Sequence, residues 1–415
     1  MPARAFLTLD DVPLSGKTVF CRIDLNCPID AKTKQPQLSP RISAHARTVL
    51  DLSNMGARVV LLAHQGRKGD DDFTSLAAHA KLLEKEVEKL AKKEGAKSIK
   101  IRFVDDVCGS PAKAAIRSLK NGRVVLLQNV RYLDDETKYE KNGGKSELVA
   151  NLGPLCQIFV LDAFSCAHRA HASVVGFRSK PSLAGRVMAQ ELGALEQFKN
   201  PKRPVIFILG GAKPDDSLPI LKAWLAAGKL DFALCGGVLG SLMLLASGRE
   251  LGATEAYLEK KEALAKLDDA KALLSQYQSK IVIPLDVVTD AGGIPSVLDA
   301  EQLPSPDSIA DIGPRTAQRF AGLINSAGSI VLNGPMGVYE KDAFASGTRI
   351  VLGAVSSSSA FSLLGGGHTI SAIDKFKINK SNIGYISLSG KALIEYLSGE
   401  KLPGVEMLRT AAKKR

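Results

Sequence analysis

Short apolar runs without polar alternation recur along this chain, and each is followed by a stretch of helical periodicity. In the first half they are Thr18–Ile23, Arg58–Leu62, Ile99–Val104, Val124–Leu127 and Ile158–Leu161. In the second half they are Val205–Leu209, Phe232–Leu234, Ile281–Ile283, Ile330–Leu332 and Phe361–Leu364. A strand that is apolar on both faces must be covered on both faces, which is the condition of a parallel sheet flanked by helices. The clearest intervening helix is Ser75–Glu94, where Leu76, Leu83, Val87 and Leu90 form one stripe and Gly95 ends it. At 415 residues the chain exceeds one ordinary core, so two domains are expected. A boundary belongs near Lys180–Pro181, where a long helical pattern, Leu183–Phe198, begins and then leads into the strand at Val205.

In open parallel sheets, ligands bind beyond the carboxyl ends of the strands, so the residues there are informative. In the first half they are polar or basic: Asp24, Leu25 and Asn26; His64, Gln65, Gly66 and Arg67; Asn129 to Arg131; and Asp162 to Arg169, with Arg41 opening the first helix. Arginine forks match carboxylate and phosphate oxygens in pairs, so several arginines with His64 and His168 on one sheet edge suit a small polyanion. One arginine alone is more often a surface ion pair. In the second half the strand ends are glycine-rich: Gly210 to Lys213, Cys235 to Val238, Asn333 to Glu340 and Gly365 to Thr369. Glycines leading into a helix expose backbone N–H groups to an anion, and their repetition around one edge suggests a nucleotide.

Other signals fall away. Ser15-Gly-Lys-Thr18 imitates the end of a phosphate-binding loop, but Asp11 stands at the first glycine position and the segment precedes its strand. His168 and His171 have no third ligand in sequence that would make a zinc site. The six cysteines are scattered, as expected of small apolar side chains in a reducing compartment. Acidic residues stand where a secretion signal would carry its apolar core, and no apolar run is long enough to span a bilayer, so a cytoplasmic location is expected. A net charge of +12 admits nucleic acid as a partner, but aromatic residues do not interleave with the basic runs.

These motifs together resemble the phosphoglycerate kinase family from end to end. The resemblance is carried by Arg22-Ile-Asp-Leu-Asn26, His64-Gln-Gly-Arg67, Asp162-Ala-Phe-Ser-Cys-Ala-His-Arg-Ala-His-Ala-Ser-Val-Val-Gly176, Leu209-Gly-Gly-Ala-Lys213, Asp311-Ile-Gly-Pro314, Asn333-Gly-Pro-Met-Gly337 and Leu402-Pro-Gly-Val405. The archaeal branch is the most similar. The resemblance implies an α/β protein of two doubly wound parallel-sheet domains joined by a hinge helix. Residues 1–180 would bind phosphoglycerate, residues 181–400 would form the hinge helix and nucleotide domain, and residues 401–415 would fold back onto the first domain. It further implies reversible phosphoryl transfer between ATP with 3-phosphoglycerate and ADP with 1,3-bisphosphoglycerate, requiring Mg2+, by a monomer or homodimer. By that pattern Asp24, Leu25, Asn26, Arg41, His64, Gln65, Gly66, Arg67, Arg131, His168 and Arg169 hold the phosphoglycerate. Gly211, Lys213, Gly237, Gly313, Asn333, Pro335, Glu340, Gly365, Gly366, Gly367, His368 and Thr369 hold the nucleotide, with Glu340 on the ribose. Arg41 and Lys213 would meet the moving phosphoryl group.

The chemistry agrees with the residues. A carboxylate nucleophile is already ionised near neutral pH, so no catalytic base is required, and none stands out. Ser217 and His368 depart from the family, which has a second lysine and an aspartate at those positions; Ser389 and Lys391 lie in an altered glycine segment. The departures leave the metal ligands open and raise a second reading, a catalytically weakened paralogue that binds both ligands.

Overall fold

The computed structural model describes residues 5–413, and for residues 214–216 the backbone alone. The chain divides into two compact units, one running up to Gly193 and including the segment from Lys401, the other spanning Ala194–Glu400.

The first unit is built on a six-stranded parallel sheet of order β3-β4-β2-β1-β5-β6. Its strands are β1 (Thr18–Arg22), β2 (Arg58–Leu62), β3 (Ile101–Val104), β4 (Val124–Leu127), β5 (Ile158–Leu161) and β6 (Ser182–Ala184). β1, β4 and β5 are buried at every position, which is why their sequences do not alternate. The helix Pro40–Asn54 covers one face with Ile42, Val49, Leu50 and Leu52, and Ala77–Glu94 adds Leu83 and Val87.

Two expectations are corrected here. The helical reading Leu183–Phe198 begins as strand: Phe159, Val160 and Leu161 pair in parallel register with Ser182, Leu183 and Ala184. The helix itself is Arg186–Glu196. A Cβ at Gly185 would lie 2.2 Å from Asp162 Oδ1, so only glycine lets the strand turn so close to that carboxylate. Asp162 then accepts the N–H groups of Val187 and Met188 (2.8 and 3.2 Å), satisfying the open helix end. Because β6 completes the first sheet, the units divide at Gly193–Ala194, inside this helix, and not at Lys180–Pro181.

The second unit carries another six-stranded parallel sheet, of order β15-β14-β13-β7-β8-β9. It comprises β7 (Val205–Leu209), β8 (Phe232–Cys235), β9 (Ile281–Val282), β13 (Ser329–Asn333), β14 (Phe361–Gly365) and β15 (Tyr385–Ile386). A separate antiparallel sheet, absent from the sequence reading, contains β10 (Asp286–Ala291), β11 (Ile294–Asp299) and β12 (Ser308–Ile312). Gly292 and Gly293, both at positive φ, make the turn between β10 and β11. The helix Pro403–Lys413 belongs to the first unit, where it lies against β6 and the short helix Ala172–Val175. Among the described residues, no helix is long and apolar enough to cross a membrane. All six cysteines are free and buried.

Candidate functional site

Because β1, β2, β4 and β5 are parallel neighbours, the segments that follow them emerge at one edge of the first sheet. Asp24 is buried there. Its Oδ1 accepts the Asn26 N–H (3.0 Å), its Oδ2 accepts the Ser165 hydroxyl, and Arg41 Nη1 stands 3.4 Å from Oδ2. Burial alone would raise its pKa. Arg41, His64 and the hydrogen bonds from Ser165 and Asn26 outweigh it and hold the carboxyl far below the usual range. The backbone N–H of Asp24 donates to His45 Nε2 (3.1 Å), so the His45 proton is on Nδ1, from which it donates to Asp162 Oδ2 (2.7 Å).

Arg22, the last residue of β1, is only 1% exposed and reaches His64 Nδ1 with Nη2 (2.8 Å). His64 therefore carries its proton on Nε2. Its pKa is driven well below the ordinary histidine value by burial first and then by the Arg22 charge, with Arg131 and Arg169 adding to it. Arg131 is itself lowered to about 10, by burial and by Arg169, Arg22 and Arg67. Burial is the larger cause, and the neighbouring arginines add to it, with the buried Glu136 as the carboxylate that acts on Arg22 and Arg131. That crowding of arginines is the electrostatic condition for seating an anion.

The residues expected at this edge divide by what their side chains do. Asp24, Asn26, Arg41, His64, Arg67, Arg131, His168 and Arg169 are brought to one region, and Arg67 is exposed. Arg131 donates to the Gly66 carbonyl, and Gly66 at positive φ donates its N–H to Asn26 Oδ1 (2.9 Å). Arg169 Nε donates to His168 Nε2 (3.0 Å). Two members face inward. Leu25 is fully buried in the apolar core, leaving only its backbone for a ligand. Gln65 spends its amide on the Cys27 N–H (2.9 Å), the Cys27 carbonyl (3.1 Å), the Asp72 carbonyl (3.2 Å) and His79 Nε2 (3.1 Å). It is the brace of the loop. Arg22 and Ser165 were not singled out as site residues. Arg22 was hidden because it lies within the apolar run Thr18–Ile23, although a charge at a buried strand end is itself a signal.

Asp24, His64 and Cys166 bring potential ligand atoms within 4.8 Å of one another. A cation there would sit among Arg22, Arg41, Arg131 and Arg169, so this trio suits an anion pocket and not a metal.

In the second unit, the loops after β7, β8, β13 and β14 share one edge by the same parallel logic. Their backbones interlock. Gly211 N–H donates to Pro335 O (2.7 Å), Val238 N–H to Gly211 O (2.9 Å) and Gly237 N–H to Met336 O (2.7 Å). A Cβ at Gly210 would lie 2.1 Å from Pro335 O, and one at Gly334, which has φ +88°, 2.6 Å from the Gly210 backbone. Beside these loops lies a cavity of about 190 Å3, whose walls include Gly211, Gly237, Pro335, Glu340 and His368 together with Tyr257, Val338 and Asp311. That volume is roughly six waters' share of the liquid, enough for a flat ring system but not for a polyphosphate. Asp311 accepts the N–H groups of Ile312 (2.9 Å) and Gly347 (2.7 Å), yet burial still pushes its pKa up to about 7.

Lys213 is exposed and stands at the N-cap of the helix Pro214–Ala226. His368 and Glu340 are exposed at the cavity mouth, with His368 Nδ1 3.5 Å from Glu340 Oε1. Several other expected residues serve the frame. Thr369 is buried and accepts the Gly334 N–H (2.9 Å). Asn333 ends β13, and its carbonyl accepts the Gly210 N–H (2.9 Å). Gly366, at φ +92°, caps the helix Gly367–Lys375 after buried Gly365. Gly313 opens the helix Pro314–Asn325 against Asp286, whose carboxylate would be 2.2 Å from a Cβ there. Ser217 is buried, and its hydroxyl has no hydrogen-bond partner among the described residues. Tyr257 carried no sequence signal; it lies in the charged helix Ala253–Lys260.

An arginine-crowded sheet edge in one α/β unit and a glycine-built cavity in the other define an enzyme class that handles phosphorylated small molecules. Comparison with known proteins narrows this. The family profile described as phosphoglycerate kinase matches residues 9–400. A phosphoglycerate kinase of Methanopyrus kandleri is 39% identical over 97% of both chains, and one of Thermoplasma acidophilum 38% identical over 98% of both. The crystal structure of phosphoglycerate kinase from Pyrococcus horikoshii superposes with a TM-score of 0.89 at 34% identity, covering 99% of this chain and 100% of that one. The chain belongs to the phosphoglycerate kinase family, and it is a glycolytic kinase.

Proposed function

We propose that the enzyme transfers a phosphoryl group reversibly between ATP with 3-phosphoglycerate and ADP with 1,3-bisphosphoglycerate in the cytoplasm. The observation that carries the reading is the gathering of Arg22, Arg131 and Arg169 around His64 and His168 at the strand ends. Its charge suits a phosphorylated carboxylic acid, and Arg41, beside Asp24 at the start of its helix, is placed to meet the acid's reacting end. The cavity beside Gly211 and Gly237 takes the nucleotide base, Glu340 takes the ribose, and Lys213 meets the phosphates.

The attacking carboxylate needs no base, so the protein's task is orientation and cancellation of charge on the moving group. Arg41 and Lys213 are the residues proposed to cancel that charge, and they belong to different units. Mg2+ is expected with the nucleotide. Among the described residues no carboxylate cluster builds a cage for it, since Asp311 is turned to Gly347 and Ile312. The ion is best supplied as the nucleotide's own chelate.

A coupled assay following ATP consumption with 3-phosphoglycerate tests the reading. Lys213→Ala is expected to lower kcat by about 10²–10³, the scale for one charge-stabilising donor. Near-normal turnover in that variant would remove Lys213 from its role.

A further inference from the structure

A second cavity, larger than the one at the glycine loops, lies wholly in the first unit beneath the helix Pro403–Lys413, with a volume of about 1050 Å3. Sites for small molecules are commonly about 300–1,000 Å3, apolar, and equipped with a few placed polar groups. This one has that composition. Val12, Val175 and Met407 form apolar wall, and Arg178 and Lys180 bring two cations to it. Among the described residues, neither cation has a carboxylate within ion-pair distance; two carboxylates also line the cavity, Glu406, which is paired with Arg409 (2.7 Å), and Glu140, which offsets one of the two cations. The phosphoglycerate edge does not use any of these groups.

We propose that this cavity is a binding site for an amphipathic monoanion, an acyl or aryl chain ending in a single carboxylate. The apolar wall would cover the chain, and Arg178 and Lys180 would hold the head. The cavity also adjoins the segment that carries the arginine edge. Ala170, in its wall, directly follows Arg169, and the Gly404 N–H at the start of the covering helix donates to Ala167 O (2.9 Å). Occupancy would therefore be felt at the phosphoglycerate edge, and the effect would be reciprocal. This coupling rests on the assignment of that edge; the binding itself does not.

Isothermal titration of the full-length protein with decanoate, against decan-1-ol as the neutral control, tests the site. Saturable binding is expected for decanoate, about tenfold weaker for the alcohol. It should weaken about tenfold in Arg178→Ala/Lys180→Ala and also weaken in Ala411→Trp, which puts a bulky ring into the cavity wall. Circular dichroism and melting curves establish that both variants are folded. Excess 3-phosphoglycerate should not displace the decanoate competitively. No saturable binding, binding indifferent to both variants, or competitive displacement by 3-phosphoglycerate, which would locate the decanoate at the arginine edge, would each overturn the proposal. Failure of the kinase assay with decanoate binding intact would instead count against the reading of the arginine edge alone.

Discussion

Arg22 shows what a single residue contributes and what it costs. It is among the largest fully buried side chains, and its Nε and Nη1 have no hydrogen-bond partner among the described residues. A buried charge with unmet donors is destabilising until a ligand or counter-charge satisfies it. Arg22→Met, which keeps the volume and removes the charge, is expected to hold or raise the melting temperature while raising KM for 3-phosphoglycerate tenfold or more. The KM for ATP should stay near its starting value. A melting temperature lowered by several degrees would mean that the guanidinium is a structural tie. Gly334→Ala makes the complementary case in the other unit. Its φ of +88° and a Cβ 2.6 Å from the Gly210 backbone force the loop apart, so nucleotide KM should rise at least tenfold with phosphoglycerate KM unchanged.

At the scale of elements, the helix Pro403–Lys413 is held by a close approach. A Cβ at Gly404 would lie 2.8 Å from the Leu161 side chain and 3.1 Å from Ala167 Cα. Gly404→Val is therefore expected to cost about 1–3 kcal/mol, the usual overpacking range, measurable by denaturant unfolding of the first unit. An unchanged midpoint would show that the helix adjusts freely. Elements differed in how readable they were. Val205–Leu209 was plain because it is buried throughout and bounded by Pro204 and Gly210. β6 was not, because three residues leave no period to detect, and its apolar content merged with the helix after it. The β10–β11 hairpin carried a readable turn in Gly292-Gly293, but β11 is largely exposed, so its side chains gave no contrast between core and solvent. In the candidate site, the strand ends pointed to loops that the parallel sheets do bring to one edge in each unit. They could not separate Gln65, which braces its loop, from His64 and Arg67 beside it, because chain neighbours can face opposite ways.

Across the whole molecule, the buried histidines of the first unit and Asp311 of the second should respond oppositely to acid, with Glu136 of the first unit, raised by burial, opposing its histidines. In the first unit, His64 is pushed well below its ordinary value by burial and arginine charge, His79 to about 4 by burial, and His171 to about 3 by burial and then Arg22. These groups are neutral when folded, so the stability they contribute is complete above about pH 6.5 and is lost as pH falls through the unfolded value. Asp311 in the second unit has the opposite sign. Its pKa is raised to about 7, so the folded state binds the proton first, and stability rises as pH falls from about 7 to 4. Hydrogen exchange corrected for intrinsic rates, compared at pH 7 and pH 5, should show β1 and β2 losing protection while β12 keeps or gains it. Equal losses in both units would contradict these assignments.

The interlocked glycine loops have a consequence for descent. A loop cluster made of main chain offers mutation almost nothing to vary: at Gly210, Gly237 and Gly334, any side chain meets a neighbouring backbone. Lineages carrying this unit therefore inherit the cluster unchanged or lose it. Divergence in what the proposed site accepts must enter at the rim, through exposed positions such as Tyr257, Val338 and His368.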